Sequence, residues 1–268
     1  WLILIIALGF MVLLEAKAMN NIYQTMFDAE FTAKEDSSRT IVNSGHSLLT
    51  HYYDLYQNGT MSEDMAKEAA LNAIAAGFDG IELHAANGYL INQFIDSESN
   101  QRSDKYGGSL TNRLRFLDEV VAAMVDAIGA ERVGVRLAPL TTLNGTVDAN
   151  PEETYTAAAA LLNKHNIVYL HIAEVDWDDA PETPKAFKQA LRDAFKGVLI
   201  YAGRYKADSA QQAIDEGLAD MIGFGRPFVA NPDLPARLQH GYPLAEHDPN
   251  SLFGGGEKGL TDYPSYKA

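Results

Sequence analysis

The sequence of 268 residues contains no cysteine, and its 21 basic residues are outnumbered by 36 acidic ones. The absence of cysteine excludes disulfides, thiolate nucleophiles and cysteine-based metal sites. The net charge of −15 argues against nucleic acid as a partner, because such surfaces need basic patches to bind phosphates. The seven histidines are scattered without a metal-ligand spacing, so we expect no bound metal.

Long hydrophobic runs are also scarce, and the longest, at residues 1–14, is too short for an ordinary membrane span. The tripeptide Ala16-Lys17-Ala18 resembles a signal-peptidase site with its two small residues, but the usual charged region before the apolar run is missing. Three interpretations of this apolar leader, residues 1–18, stay open: a clipped signal peptide, a buried strand or helix, and a stretch unrelated to the functional protein. We expect a cytoplasmic protein without a membrane partner, or an exported or membrane-associated one if residues 1–18 are a signal segment.

Residues 19–61 show no clear period and stay unassigned, whereas a regular alternation of helix and strand patterns begins at residue 62. Helix patterns cover residues 62–77, 110–128, 184–195 and 208–216, and a further helix start lies at 150–153, with Ser109 and Asn150 as N-cap candidates. Continuous apolar segments predict buried strands at residues 81–83, 133–137, 167–172, 198–202 and 221–224. This order predicts an α/β fold with a parallel sheet covered by helices.

The stretch GFDGIELHAANGYL, residues 77–90, places polar side chains directly after a predicted strand. His84 and Asn87 offer two N–H donors close together, and Tyr89 offers a phenol two residues further on. Two donors can hold one carbonyl or nitro oxygen, and a phenol can deliver a proton. A lone histidine at a strand end is also a common structural cap, so these residues by themselves leave both interpretations open.

The segment that follows, NQFIDSESNQRSDKYGGSLTNRLRF, completes a pattern over residues 76–116 that resembles the Old Yellow Enzyme family of FMN-dependent ene-reductases. The later blocks FGRPFVANPDL and TDYP agree with the same family, so the resemblance covers residues 62–268. It implies the C-terminal portion of a TIM (β/α)8 barrel. The family's first three βα units are expected to be missing, because residues 1–59 are too few to form them.

The resemblance also implies a role for each candidate residue. His84 and Asn87 would bind the substrate oxygen, hydride would pass from reduced flavin to the β-carbon of the alkene, and Tyr89 would protonate the α-carbon. The cofactor FMN would be bound at its N1/O2 edge by Arg136 and further by Ala202, Gly203, Arg204, Gly225, Arg226 and Phe253. The substrate pocket would be lined by Trp177 and Phe253.

The partner of Arg136 and the activity of the chain both stay open. The charge of Arg136, which lies inside an apolar run, could instead be paired with a carboxylate such as Glu82 or Glu174.

The expected function is the reduction of small electrophilic alkenes (enones, maleimides), nitro compounds or nitrate esters with NAD(P)H. The alternative is a non-catalytic remnant that binds FMN weakly or not at all. An incomplete barrel would expose strand edges and favour self-association.

Overall fold

The computed structural model describes residues 71–72, 74–75, 77–174, 180–252, 258–259 and 261–267. The leader at 1–18, the segment at 19–61 and most of the helix expected at 62–77 lie outside the described residues, as do Trp177 and Phe253. The chain divides into two compact units, whose described parts are residues 71–223 and 224–267.

A parallel sheet of five strands forms the centre of the first unit. The strands are β1 (Ile81–Ala85), β2 (Val133–Leu137), β3 (Tyr169–Ala173), β4 (Val198–Ala202) and β5 (Met221–Gly223). Each strand pairs with the next one along the chain, which is the strand order of βα barrels. The predicted α/β fold with a parallel sheet is confirmed. The absence of three preceding βα units concerns residues outside the described ranges and stays a prediction.

Helices connect the strands of this unit. They are α1 (Leu90–Ile95) and α2 (Leu110–Ile128) after β1, α3 (Pro151–Lys164) after β2, α4 (Lys185–Ala194) after β3 and α5 (Ala207–Asp215) after β4. Helix α2 begins as predicted, because the Ser109 hydroxyl accepts a hydrogen bond from the Asn112 amide at 3.3 Å. Helix α3 also begins at the predicted position, but the Asn150 side chain makes no capping bond there.

One face of the sheet packs against the helices. Side chains alternate between the faces of a strand, so every second residue of β1 to β4 points toward α2, α3 and α4. This face and the helices enclose a core of buried apolar side chains, among them Leu83, Val135, Leu170, Leu199, Leu117, Leu162 and Leu191. Burial of each such side chain contributes about 1.5–3 kcal/mol, so this core fixes the sheet on which the site is built.

The other, inner face carries ionisable side chains at alternate positions of three neighbouring strands. They are Glu82 and His84 on β1, Arg136 on β2, and Tyr169 and His171 on β3. The expectation of continuous apolar strands is therefore wrong for β1 to β3. Only the helix-facing positions of these strands need to be apolar, and the inner face is free to carry polar groups.

The second unit contains the short helices α6 (Arg226–Ala230) and α7 (Leu234–His240). The buried Arg237 guanidinium bonds to Asp233 and to the Asn231 side chain, each at 2.7 Å, and to the carbonyl of Pro264 at 2.9 Å. The Asn231 and Asp233 side chains of the FGRPFVANPDL block are thus used to fold this unit. Within the described part of the chain, no helix is long and apolar enough to span a membrane.

Candidate active site

The candidate residues of β1 and β2 lie side by side near the carboxyl ends of the strands. Register pairs His84 with Arg136, and Arg136 in turn with His171. In parallel α/β barrels, active sites lie at this end of the sheet, because the loops that leave the strands converge there. Asn87 and Tyr89 follow β1 in such a loop, as the sequence predicted.

His84 is 1% exposed, and neither of its ring nitrogens has a hydrogen-bond partner among the described residues. Burial, reinforced by the positive charge of Arg136, lowers the pKa of His84 to about 3. The imidazole is therefore neutral at physiological pH, with one N–H donor and one acceptor. A buried polar group without a partner is costly, so this side chain indicates a place where a ligand supplies the missing hydrogen bond.

Asn87 and Tyr89 follow this histidine by three and five residues along the chain, and the ring of Tyr89 packs against its imidazole. Asn87 is buried in a left-handed conformation with φ 58°, and its side-chain oxygen position has no partner within the described ranges. The two ends of an amide are alike in shape, so this position can present an N–H donor to a ligand. The ring of Tyr89 lies 5.3 Å from that of His84, centre to centre. The loop therefore places a phenol beside the unpartnered imidazole.

Arg136 lies on the inner face beside a second set of ionisable groups. Its pKa is lowered by burial, a shift that the Glu82 carboxylate and Tyr169 oppose. Burial raises the pKa of Glu82, but interactions with His171, Arg136 and Tyr169 outweigh this effect and lower it overall. Glu82 is therefore ionised and compensates the charge of Arg136. The alternative partner, Glu174, forms its ion pair with Lys188 at 2.9 Å instead.

The two Gly-Arg pairs differ in their surroundings. At Gly203, with φ +141°, a Cβ atom would overlap the Glu174 carbonyl oxygen, so packing alone requires glycine there. Arg204 donates from Nη2 to the Ala180 carbonyl at 2.6 Å. Gly225, in the second unit, has open space where a Cβ atom would lie, and Arg226 begins helix α6 directly after it.

Ala202 ends β4 and is buried, and its carbonyl accepts a hydrogen bond from the Glu174 amide at 2.7 Å. The described part of the first unit therefore contains seven of the candidate residues. They are His84, Asn87, Tyr89, Arg136, Ala202, Gly203 and Arg204. In the described ranges there is no group of three or more His, Asp or Glu side chains placed to hold a metal ion.

Sequence reasoning missed the partners of Arg136 on the inner face, Tyr169 and His171. The signal was a spacing of two residues, in Glu82-Leu-His84 and in Tyr169-Leu-His171, which puts both members of each pair on one face of a strand. That spacing could have identified the inner face, but not which side chains meet across it.

Parallel strands in chain order, with buried polar groups that lack a partner among the described residues at or just after the carboxyl end of β1, are typical of βα barrels, which carry their sites at this end of the sheet. Residues 62–245 match the model of the NADH:flavin oxidoreductase / NADH oxidase family, and the chain belongs to that family. The resemblance to Old Yellow Enzymes is thereby confirmed.

Individual relatives agree with this assignment. The chain is 41% identical over 203 residues to 12-oxophytodienoate reductase 2 of Arabidopsis thaliana, covering 75% of this chain and 54% of that protein. It is 43% identical over 196 residues to a probable flavin mononucleotide-dependent alkene reductase of Leishmania infantum, covering 73% and 53%. Morphinone reductase in complex with tetrahydroNAD superposes with a TM-score of 0.72 at 45% identity, covering 76% and 55%. The chain thus spans about half the length of these relatives.

Proposed function

We propose that this chain carries the substrate-binding and proton-donating residues of an FMN-dependent ene-reductase. Such an enzyme uses NAD(P)H to reduce activated alkenes, such as enones and maleimides, or nitro compounds and nitrate esters. The observation that carries the proposal is the pair of buried, unpartnered polar groups on His84 and Asn87, beside the phenol of Tyr89. An alkene reductase and a reductase bound to tetrahydroNAD among the relatives support the same chemistry.

The residues of this chain fit FMN in two respects. Arg136 brings a buried cation to a strand end, where it would face the negative charge of the reduced flavin, and the backbone at Gly225 is open to a phosphate. We propose the same cofactor role for Ala202, Gly203, Arg204, Arg226 and Phe253. When bound, reduced FMN supplies the hydride that adds to the β-carbon of the alkene.

His84 and Asn87 would hold the carbonyl or nitro oxygen of the substrate. The neutral His84 imidazole donates one N–H, and Asn87 donates the second from its side-chain amide. Both donors stabilise the negative charge that develops on the oxygen as the β-carbon accepts hydride, and their burial excludes the water that would weaken this interaction. They therefore bind the substrate and activate it.

Tyr89 would then complete the reduction. Its O–H donates a proton to the α-carbon, which converts the activated alkene into the saturated product. The contact between its ring and that of His84 keeps the phenol beside the oxygen-binding pair. We propose that Trp177 and Phe253 line the substrate pocket.

The visible absorption spectrum of the purified chain, before and after FMN is added and the excess removed, tests this function. We expect a bound flavin band that NAD(P)H bleaches under anaerobic conditions and that an enone restores. In the loaded protein, His84→Ala should weaken the binding of a phenol, followed by its perturbation of the flavin spectrum. His240→Ala, at an exposed histidine of α7, is the matched control and should leave binding unchanged.

A colourless protein that retains no added FMN would contradict this function. It would favour the non-catalytic remnant, and size-exclusion chromatography would then test the expected self-association. The cytoplasmic location stays a prediction.

A further inference from the structure

Two neighbouring connections meet at the candidate site, and their contact has no part in the function proposed so far. One is the loop after β1 that carries Asn87, and the other is the turn Leu143–Gly145 after β2. The side-chain amide of Asn144 in that turn donates a hydrogen bond to the main-chain carbonyl of Asn87 at 2.9 Å. Both asparagines adopt the left-handed conformation, with φ 56° and 58°, which asparagine tolerates better than most residues.

The backbone of Gly88 packs directly against the same turn. A Cβ atom at Gly88 would lie 2.6 Å from Thr146 Oγ1 and 2.7 Å from the Asn144 Cβ, and would overlap the Leu143 carbonyl oxygen. Each of these contacts excludes a side chain at Gly88. The loop and the turn are therefore fitted to each other.

The turn that presents Asn144 is itself well braced. The buried Thr146 donates from its hydroxyl to the Leu143 carbonyl at 2.8 Å, and the Leu143 amide donates to the hydroxyl of the buried Thr141 at 3.2 Å. Because these bonds order the turn, the backbone that carries the Asn144 side-chain amide is fixed. The amide can therefore hold the Asn87 carbonyl in one position.

The other side of the loop is held from the helices. The Gly88 amide donates to the Asn92 side chain at 2.8 Å, and Asn92 in turn donates to the hydroxyl of Tyr155 on α3 at 2.7 Å. Asn92 and Tyr155 are buried, whereas Asn144 is exposed. The loop is thus held by a buried hydrogen bond between Gly88 and Asn92 on one side and by the hydrogen bond from the exposed Asn144 on the other. The bond from Asn144 is the one that contacts the carbonyl of Asn87.

We propose that Asn144 is a positioning residue, which fixes the Asn87 carbonyl and thereby directs the Asn87 side-chain amide toward the ligand. The ligand role of Asn87 rests on the proposed function, whereas the hold of Asn144 on the loop does not. Asn144 touches no reacting atom in this scheme, and it acts only through the backbone of Asn87.

Three variants of the full chain test this. Asn144→Gly removes the side chain but keeps a residue that tolerates positive φ, and Asn144→Asp keeps the shape while replacing the donor with an acceptor. Asn166→Gly is the matched control, because Asn166 is exposed, has φ 52° and lies in the connection between α3 and β3.

The first measurement is hydrogen–deuterium exchange of the peptide that covers residues 86–93, which needs no flavin. We expect exchange of about two- to tenfold faster in both Asn144 variants, the range for one lost hydrogen bond, and no change in Asn166→Gly. Unchanged exchange in both Asn144 variants would overturn the proposal. Faster exchange in the control as well would attribute the effect to general loosening and would also overturn it.

The second measurement is the Kd of p-hydroxybenzaldehyde in the FMN-loaded protein, with the Kd of FMN measured in parallel. We expect the phenol to bind about two- to tenfold more weakly to both Asn144 variants while FMN affinity is unchanged. Equal phenol affinity in wild type and both variants would overturn the positioning role. Should the wild-type chain retain no FMN, the proposed function fails, and hydrogen exchange alone still decides whether Asn144 holds the loop.

Discussion

The Nδ1 atom of His171 lies 2.9 Å from Oε2 of Glu82, so a carboxylate on β1 and an imidazole on β3 meet across β2 although they are 89 residues apart. At this level β2 contributes Gly134, which register places between Glu82 and Tyr169. A Cβ atom on Gly134 would overlap the Tyr169 ring, so glycine makes room for that ring to reach Glu82. A single glycine thus permits the polar cluster beneath Arg136.

Glu82→Gln tests how much this cluster contributes to stability. Glutamine keeps the shape of the side chain but removes the negative charge. That charge compensates Arg136 and strengthens the hydrogen bond with His171. We expect the free energy of unfolding to fall by about 1–3 kcal/mol, the cost of leaving buried polar groups poorly satisfied. Urea unfolding at pH 7 measures it. Glu98→Gln, at an exposed residue, is the control and should stay within about 0.5 kcal/mol of wild type; equal stability of both variants would refute this role.

The fold was largely predictable, and the reason lies in particular segments. The sequence predicted β2 and β4 with their observed bounds, because the helix-facing positions of both strands carry large side chains that are buried and a small residue follows each strand. The short helices α1, α6 and α7 were missed, since five to seven residues cannot display a helical period clearly.

The site was only partly predictable. His84, Asn87 and Tyr89 became candidates because these three polar side chains fall within six residues of a segment that resembles the family's motif, and their roles stay predictions. The pairing of Glu82 with His171 depends on strand register over a long sequence separation, and the support of Asn87 by Asn144 depends on how two loops pack. Neither leaves a short-range signal in the sequence.

The low pKa of His84 predicts a pH dependence of stability. Its folded-state pKa is about 3 against an ordinary value of 6.5, so the unfolded chain binds a proton that the folded chain does not between these values. Stability attributable to His84 is therefore complete above pH 6.5 and falls as the pH decreases toward 3, by about 1.4 kcal/mol per pH unit once well below 6.5.

His84→Asn removes this titration. From pH 7 to 4.5, wild type should lose about 2–3 kcal/mol more unfolding free energy than the variant, measured by urea unfolding at each pH. The titration of Glu82 does not overlap with the pH range from 7 to 4.5. A carboxylate with a lowered pKa contributes stability that is lost only as the pH falls below its ordinary pKa of 4.5. Parallel stability curves for the two proteins would show that the His84 pKa is not depressed.

Gly203→Ala separates a packing requirement from a cofactor role. The added methyl group would overlap the Glu174 carbonyl oxygen, and φ at this position is +141°. We expect a loss of more than about 2 kcal/mol in unfolding free energy without any FMN present, since both backbone strain and overlap contribute. Gly217→Ala is the control: φ is +69° but no atom lies within 4 Å of the new Cβ, so only the strain remains. Similar losses in both variants would contradict the overlap.

Tyr89→Phe tests the proton-donor role in the FMN-loaded protein. Phenylalanine keeps the aromatic ring that packs 5.3 Å from His84 and removes only the hydroxyl, so folding and flavin binding should be preserved. Removal of a general acid costs about 10²–10⁴-fold in rate, so reoxidation of the flavin by an enone should slow by that amount while its reduction by NAD(P)H is spared. Stopped-flow absorbance separates the two half-reactions.

Tyr106→Phe is the matched control for that experiment, because the Tyr106 hydroxyl bonds to Glu119 of helix α2 at 2.7 Å and Tyr106 is not among the candidate residues. It should leave both half-reactions unchanged. If Tyr89→Phe reoxidised as fast as this control, the proton would come from another group, and the position of Tyr89 beside His84 would serve packing alone. A slowing of both half-reactions would instead indicate a disturbed flavin site, because only protonation of the alkene carbon is specific to the oxidative step.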